Sequence, residues 1–357
     1  MKRYLFYIEH DYCYGVLRPL QGAIRRRGGE TAWLPVGPEI NAGFLRPDER
    51  RFRHVSEAIE WNPYAVLVPG NEVPAFLPGM KIEVFHGLNS GKRRRRDGVQ
   101  YHFIIRGLFD LYCTHGPNTT DRFEELATKS GHFRVAQTGW SKLDPLFDGT
   151  CPGDEGGRPV ILFASTFSPR LTAAPHVLET LKALADKGHW KWLVNMHPKM
   201  PADIVKSYRA IEGENLEFAE TDDVIPLLAR ADAMLCDTSS ILSEFLVLHK
   251  PVVTFRTARP ADYLIDVQQA TEIESALEQA LGHPPRLMEH IRRYAEETHP
   301  YRDGKSSERT LDAIDTLAES GLQGLKRKPP NLHRHRKMRR LLDYYGRANS
   351  VKQPTNR

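Results

Sequence analysis

Short apolar runs alternate with amphipathic stretches along most of the chain, and this alternation predicts its elements. Residues 4–8, 31–35, 65–68, 81–85 and 109–114 read as buried strands, because each is a four- to six-residue apolar run ended by Gly, Pro or polar residues. Apolar positions at helical spacing predict helices over 16–26, 55–59 and 118–128. A second series follows the aperiodic segment CPGDEGGRP at 151–159. Its strands are 160–164, 192–196, 216–218, 233–236 and 252–255. Its helices are 174–187, 224–230, 239–248, 272–280, 286–297 and 307–319. Strands alternating with helices predict parallel sheets covered on both faces. The expected division is 1–150, 151–325 and a tail over 326–357, with helix 307–319 free to cross back to the first part. Met338 to Tyr345 reads as a short amphipathic helix within the tail.

Composition agrees with a folded chain. Of 357 residues, 40% are hydrophobic and 27% charged, which excludes a disordered polar chain. No run approaches the ~20 apolar residues of a membrane span. Glu9 and Asp11 interrupt the N-terminal apolar stretch where a signal peptide would continue, so a cytoplasmic protein is expected. The four cysteines form no CxxC pair and carry no zinc or redox signature.

Charge is unevenly spread. From Lys326 onward eleven Lys/Arg face Asp343 alone, a local charge of +10, which leaves −5 on the preceding 325 residues because the whole chain carries +5. A tail of this kind is drawn to an anionic membrane surface. A nucleic-acid-binding fold is not what the distribution describes.

Parallel sheets place ligands beyond the C-terminal ends of their strands, so the residues there are the chemical candidates. Asp237, Thr238, Ser239 and Ser240 lie between a predicted strand and a predicted helix, where free N–H groups and hydroxyls can hold a phosphate; an ordinary capped helix is the alternative. Glu244 follows one turn later and is placed to meet a ribose hydroxyl. His86 ends a strand and precedes Gly87, a position for a general base. Asn89, Ser90, Lys92 and Arg93 follow it, the last two opening a run of five cations that is either solvated or meets an anionic acceptor. His197 and Lys199 occupy the corresponding position in the second series, and Ser165 and Thr166 follow another strand there. Each histidine is also readable as a structural loop residue. HExxH and GxSxG are both absent from the sequence, and no carboxylate cluster suits a metal.

Taken in order, these segments resemble the CDP-glycerol glycerophosphotransferases of teichoic-acid and capsule synthesis. The resemblance covers about 84–313: Val84-Phe85-His86-Gly87, the turn Gly139 to Asp144, Phe163 to Phe167, Met196-His197-Pro198, Asp237 to Ser240 with Glu244, Lys250 to Phe255, and Tyr301 to Arg309. It implies a GT-B-like α/β fold of two Rossmann-like domains with a cleft between them, the second binding the donor. It further implies that His86 activates an acceptor hydroxyl while His197 and the Ser239–Ser240 turn hold the pyrophosphate. Glycerol phosphate would pass from CDP-glycerol to a glycan or lipid-linked acceptor with release of CMP, without a bound metal or other cofactor. Thr238 stands where the family has tyrosine, and the transferred alcohol is left open between glycerol, ribitol and others. A GT-B glycosyltransferase or UDP-sugar epimerase is the alternative enzyme, and a non-catalytic membrane or nucleic-acid binder the alternative outside catalysis. Localisation would be cytoplasmic, at the inner membrane face if the tail binds there. Acceptor identity and oligomeric state are not encoded in any motif.

Overall fold

The computed structural model describes residues 1–38, 40–88, 91, 98, 100–151, 157–221, 223–320 and 322–345. Asn89, Ser90, Lys92 and Arg93, and the cation run they introduce, lie outside the described residues.

Seven parallel strands make the first sheet: β1 (Arg3–Ile8), β2 (Glu30–Pro35), β3 (Arg50–Arg51), β4 (Ala65–Val68), β5 (Met80–Glu83), β6 (Leu111–Thr114) and β7 (Arg134–Gln137), ordered β3-β2-β1-β4-β5-β6-β7. Six make the second: β8 (Val160–Ser165), β9 (Lys191–Met196), β10 (Leu216–Phe218), β11 (Ala233–Cys236), β12 (Val252–Phe255) and β13 (Ile265–Val267), ordered β10-β9-β8-β11-β12-β13. Each order reverses direction once, between β1 and β4 and between β8 and β11. These are the switch points where neighbouring crossovers leave a crevice at the strand C-termini. Central strands are apolar on both faces, as Ala65 to Val68 and Ala233 to Cys236 show, because helices cover both sides.

Helices α1 (Tyr12–Arg26), α2 (Val55–Trp61) and α3 (Pro117–Ser130) cover the first sheet. The second carries α4 (Ala174–Lys187), α5 (Ala202–Arg209), α6 (Ile225–Arg230), α7 (Ile241–Leu246) and α8 (Ile273–Leu281). Next comes α9 (Pro285–Thr298), which touches both α7 and α3. Then α10 (Ser306–Ser320) returns to the first half, burying Leu311, Ile314 and Leu317. Lys2 and Tyr64 meet Asp315 at 2.7 and 3.1 Å, and Arg27 meets Glu308 at 2.6 Å. One apolar cluster runs from Phe6 and Leu17 through Trp140 and Leu143 to Leu228 and Ile291, so the two halves share a core.

Hydroxyl residues such as Ser306 and Ser307 at the start of an apolar-periodic stretch are common helix caps. Here they are instead the first two residues of α10, and their N–H groups donate to the Asp144 carboxylate at 2.8 Å each. A buried acid supplied from the turn between the sheets does the capping, which fixes that turn to α10.

The basic tail is not loose over its described part. Finally α11 (Leu332–Leu341) begins six residues before the expected start of a helix and takes in the basic run. Lys328 pairs with Asp110 at 2.6 Å, the Asn331 amide donates to the Arg106 carbonyl at 2.8 Å, and Met338 is buried. Tyr344 stacks on Phe76 with ring centres 4.9 Å apart. No helix among the described residues is long and apolar enough to cross a membrane.

Candidate functional site

At the second switch point the chain clamps its own loops. The Asp237 carboxylate, wholly buried just after β11, accepts from the Ser165 hydroxyl at 2.6 Å, the Thr166 N–H at 3.1 Å and the Ala173 N–H at 2.9 Å. Burial pushes its pKa upward while these donors pull the other way. Asp237 and Ser165 therefore join the β8 and β11 loops to each other, and their polar atoms point inward. Thr238 accepts from the Ala258 N–H at 2.9 Å and so holds the loop after β12.

The groups presented outward at this crevice are Thr166, Ser239 and Ser240, with Phe167, His197 and Lys199 beside them. His197 leaves β9 directly, accepts from the Lys199 N–H through Nδ1 at 3.0 Å, and packs on Phe167 with ring centres 4.4 Å apart. Ser240 caps α7 without a side-chain bond to the helix. Glu244 is buried and bound to Lys142 at 2.7 Å. That bond ties the turn between the sheets to α7 and occupies one of the oxygens that sequence reasoning offered to a ribose.

The first switch point forms a cavity of about 480 Å³, lined among others by Glu9, His10, Tyr12, Glu72, His86 and Arg106. His86 sits at its mouth, three residues past β5. The preceding residue, Phe85, has φ 56° and is buried, with its carbonyl accepting from the Trp140 indole at 3.2 Å. This left-handed turn swings His86 out of the sheet. The Pro69 carbonyl, 3.2 Å from His86 Nδ1, can only accept. The proton of the neutral ring is thus on Nδ1, and Nε2 is its basic nitrogen.

Glu9 and Glu72 were missed by sequence reasoning, which found no acidic cluster. They follow β1 and β4 and reach the same cavity, because these strands are neighbours in the sheet although distant in sequence. Tyr7 donates to Glu9 at 3.2 Å, and burial raises the Glu9 pKa against that bond. Only the strand order can reveal this pairing. Their position just past two apolar runs is the faint local signal.

Across the cleft the Arg259 guanidinium donates to the Gly91 carbonyl at 3.3 Å, so the loop that starts at His86 touches the second half. Beneath that loop lies a histidine layer. His102 stacks on Phe85 at 4.6 Å, His115 is buried against Trp140, and His299 Nε2 accepts from the Trp140 N–H at 2.9 Å. Burial lowers the pKa of His102 to about 3 and of His299 to about 4. These rings are neutral packing and positioning groups. Among the described residues no cluster of His, Cys, Asp or Glu suits a metal ion.

Comparison with known proteins matches this architecture. Residues 165–315 match a family model described as UDP-N-acetylglucosamine 2-epimerase. No curated protein matches the chain. The wall teichoic acid polymerase TagF is similar over 90% of this chain and 90% of its own, at 14% identity and a TM-score of 0.62. S. aureus MnaA, in a co-structure with UDP, is similar over 92% of this chain and 99% of its own, at 19% identity and a TM-score of 0.60. The UDP-GlcNAc 2-epimerase of Neisseria meningitidis, bound to UDP-GlcNAc, is similar over 89% and 100%, at 15% identity and a TM-score of 0.55. With the strand orders above, these likenesses show a GT-B-like fold of two Rossmann-like domains.

Proposed function

We propose that this protein is an enzyme acting on a nucleotide-activated substrate, and that it transfers an alcohol phosphate from a CDP-alcohol, CDP-glycerol first among them, to an acceptor hydroxyl. The observation that carries this reading is the fixed tautomer of His86 at the mouth of the first cavity. Nε2 takes the acceptor proton as its oxygen attacks the β-phosphorus. The bond from that phosphorus to the bridging oxygen breaks, and CMP leaves with the electron pair. Charge on the departing phosphate is met by His197, Lys199 and the Ser239–Ser240 backbone. No metal is assigned a role. The likeness to TagF, a wall teichoic acid polymerase, supports the transferase class.

In the same reading the acceptor is a glycan or lipid-linked hydroxyl. The outward cations of α11, Arg336 and Arg340, together with exposed Leu332, suit an anionic membrane surface.

The family match over 165–315 favours a second reading, a UDP-sugar epimerase, and the carboxylates Glu9 and Glu72 in the cavity suit its acid–base needs. Turnover separates the two. The protein is incubated with CDP-glycerol and, separately, UDP-N-acetylglucosamine, and the products are resolved by chromatography. CMP release that depends on added acceptor supports the transferase. Epimerised sugar nucleotide without CMP release overturns it.

A further inference from the structure

The first cavity is closed by a segment from the far end of the chain. Lys337 and Leu341 of α11 line it together with Glu9, Tyr12, Glu72 and His86. Burying Met338 with its sulfur 3.9 Å from the Tyr7 hydroxyl seats the helix over β1. The Arg339 guanidinium lies 4.8 Å from the Phe76 ring centre. Arg334 and Lys337 approach the two Glu72 oxygens at 3.3 and 3.5 Å. These contacts make α11 a fixed wall of the cavity.

The lining does not suit an anion. Two carboxylates, Glu9 and Glu72, stand against Arg106 and Lys337, and Lys337 is already turned to Glu72. A phosphate oxygen at this place meets two like charges in the lining, where Arg106 is the cation not already turned to Glu72. Hydroxyl groups are the matching partners, because ionised carboxylates only accept hydrogen bonds. Tyr12 is 47% exposed; its ring stacks on His10 at 5.1 Å and lies tilted by 40° to His86 at 5.5 Å. The exposed Tyr12 ring offers one flat face to the C–H face of a sugar ring. The volume, about 480 Å³, lies in the range of small-molecule sites.

We propose that this cavity binds the neutral, polyhydroxylated end of the acceptor, a sugar residue rather than a phosphorylated alcohol, and that α11 sets this selectivity through Lys337 and Leu341. The proposal deepens the transferase reading and rests on it for the word acceptor; the cavity and its ligand class stand on the lining alone.

The test is saturation-transfer NMR on the full chain with two neutral probes, methyl β-D-glucopyranoside and methyl 2-acetamido-2-deoxy-β-D-glucopyranoside, and one anionic probe, sn-glycerol 3-phosphate. CDP-glycerol affinity is measured by calorimetry on the same samples. The expected result is glycoside signal without glycerol 3-phosphate signal. Leu341→Trp, which fills the cavity, weakens the glycoside by about fivefold or more, roughly 1 kcal/mol. Leu332→Trp, on the same helix but 66% exposed and outside the cavity, leaves it unchanged. Glycerol 3-phosphate displacing the glycosides, no glycoside signal, or equal loss in both tryptophan variants overturns the proposal. Absent glycoside signal with CDP-glycerol bound sinks this inference alone. Glycoside signal that depends on Leu341 without CDP-glycerol binding supports the cavity and sinks the transferase reading alone.

Discussion

The Ser165 hydroxyl lies 2.6 Å from a carboxylate oxygen of Asp237, joining the ends of β8 and β11 across the second switch point. The same carboxylate takes two backbone N–H groups. Asp237→Ala leaves those buried donors without partners, at a cost of about 2–5 kcal/mol. Asp237→Asn keeps one accepting oxygen and loses less. Denaturant unfolding of the two variants checks the order, and an Asp237→Ala protein as stable as the parent contradicts the clamp.

His86 is assigned a chemical role and little structural burden, since its ring is exposed and its Nδ1 meets the Pro69 carbonyl. His86→Gln is expected to lower turnover by about 10²–10⁴-fold. Donor affinity by calorimetry should stay within about twofold, a difference of less than 0.5 kcal/mol. Equal losses of binding and turnover would place His86 at the donor instead.

Acid should loosen the layer beneath the His86 loop. Burial lowers the pKa of His299 to about 4, below its unfolded value near 6.5, and its Nε2 accepts from Trp140 only while unprotonated. Between these values the unfolded chain binds a proton that the folded chain refuses. The stability is therefore complete above about pH 6.5 and declines as pH falls toward 4. Linkage puts the loss at pH 5 at about 2 kcal/mol for this residue. His299→Gln keeps an acceptor for the Trp140 N–H and should flatten the dependence. Melting temperatures at pH 7.5 and pH 5 for parent and variant measure it.

The Lys142–Glu244 pair, with side chains 17% and 11% exposed, is a bond between the inter-sheet turn and α7. Lys142→Met leaves a buried carboxylate without its cation, at a cost on the order of 3 kcal/mol. Adding Glu244→Leu should recover most of that. A double-mutant cycle with no coupling would show the pair to be incidental.

Much of the fold is legible where packing is apolar on both sides. Strands at 65–68, 233–236 and 252–255 and the helix at 174–187 appear at their expected bounds, because Gly, Pro or polar residues frame continuous or periodic apolar runs. The edge strands of the first sheet escape notice. Arg50–Arg51 is two exposed cations, and Arg134 to Gln137 has no fully buried side chain, so neither carries an apolar signature. Phe85 reads as the end of a strand but turns left-handed, a conformation held by the distant Trp140.

The site is legible in part. Strand-end histidines and small polar residues mark where loops gather, and His86, His197 and Ser240 do stand at such ends. Which polar atoms face outward is not local information. Asp237 and Ser165 turn to one another because β8 and β11 are neighbours, and Glu9 meets Glu72 because β1 and β4 are. The C-terminal segment shows its charge in sequence, whereas its docking depends on Met338 and Tyr344 finding partners more than 260 residues away.

On the proposed reading, the second half holds a CDP-alcohol at Ser239 and Ser240. Calorimetric titration of the protein with CDP-glycerol and UDP-N-acetylglucosamine, repeated on Ser239→Ala/Ser240→Ala, tests it most directly because no acceptor is needed. Tighter binding of CDP-glycerol is expected, weakened by about tenfold in the double variant, some 1.4 kcal/mol. Preference for UDP-N-acetylglucosamine, or CDP-glycerol binding untouched by the two substitutions, would contradict it.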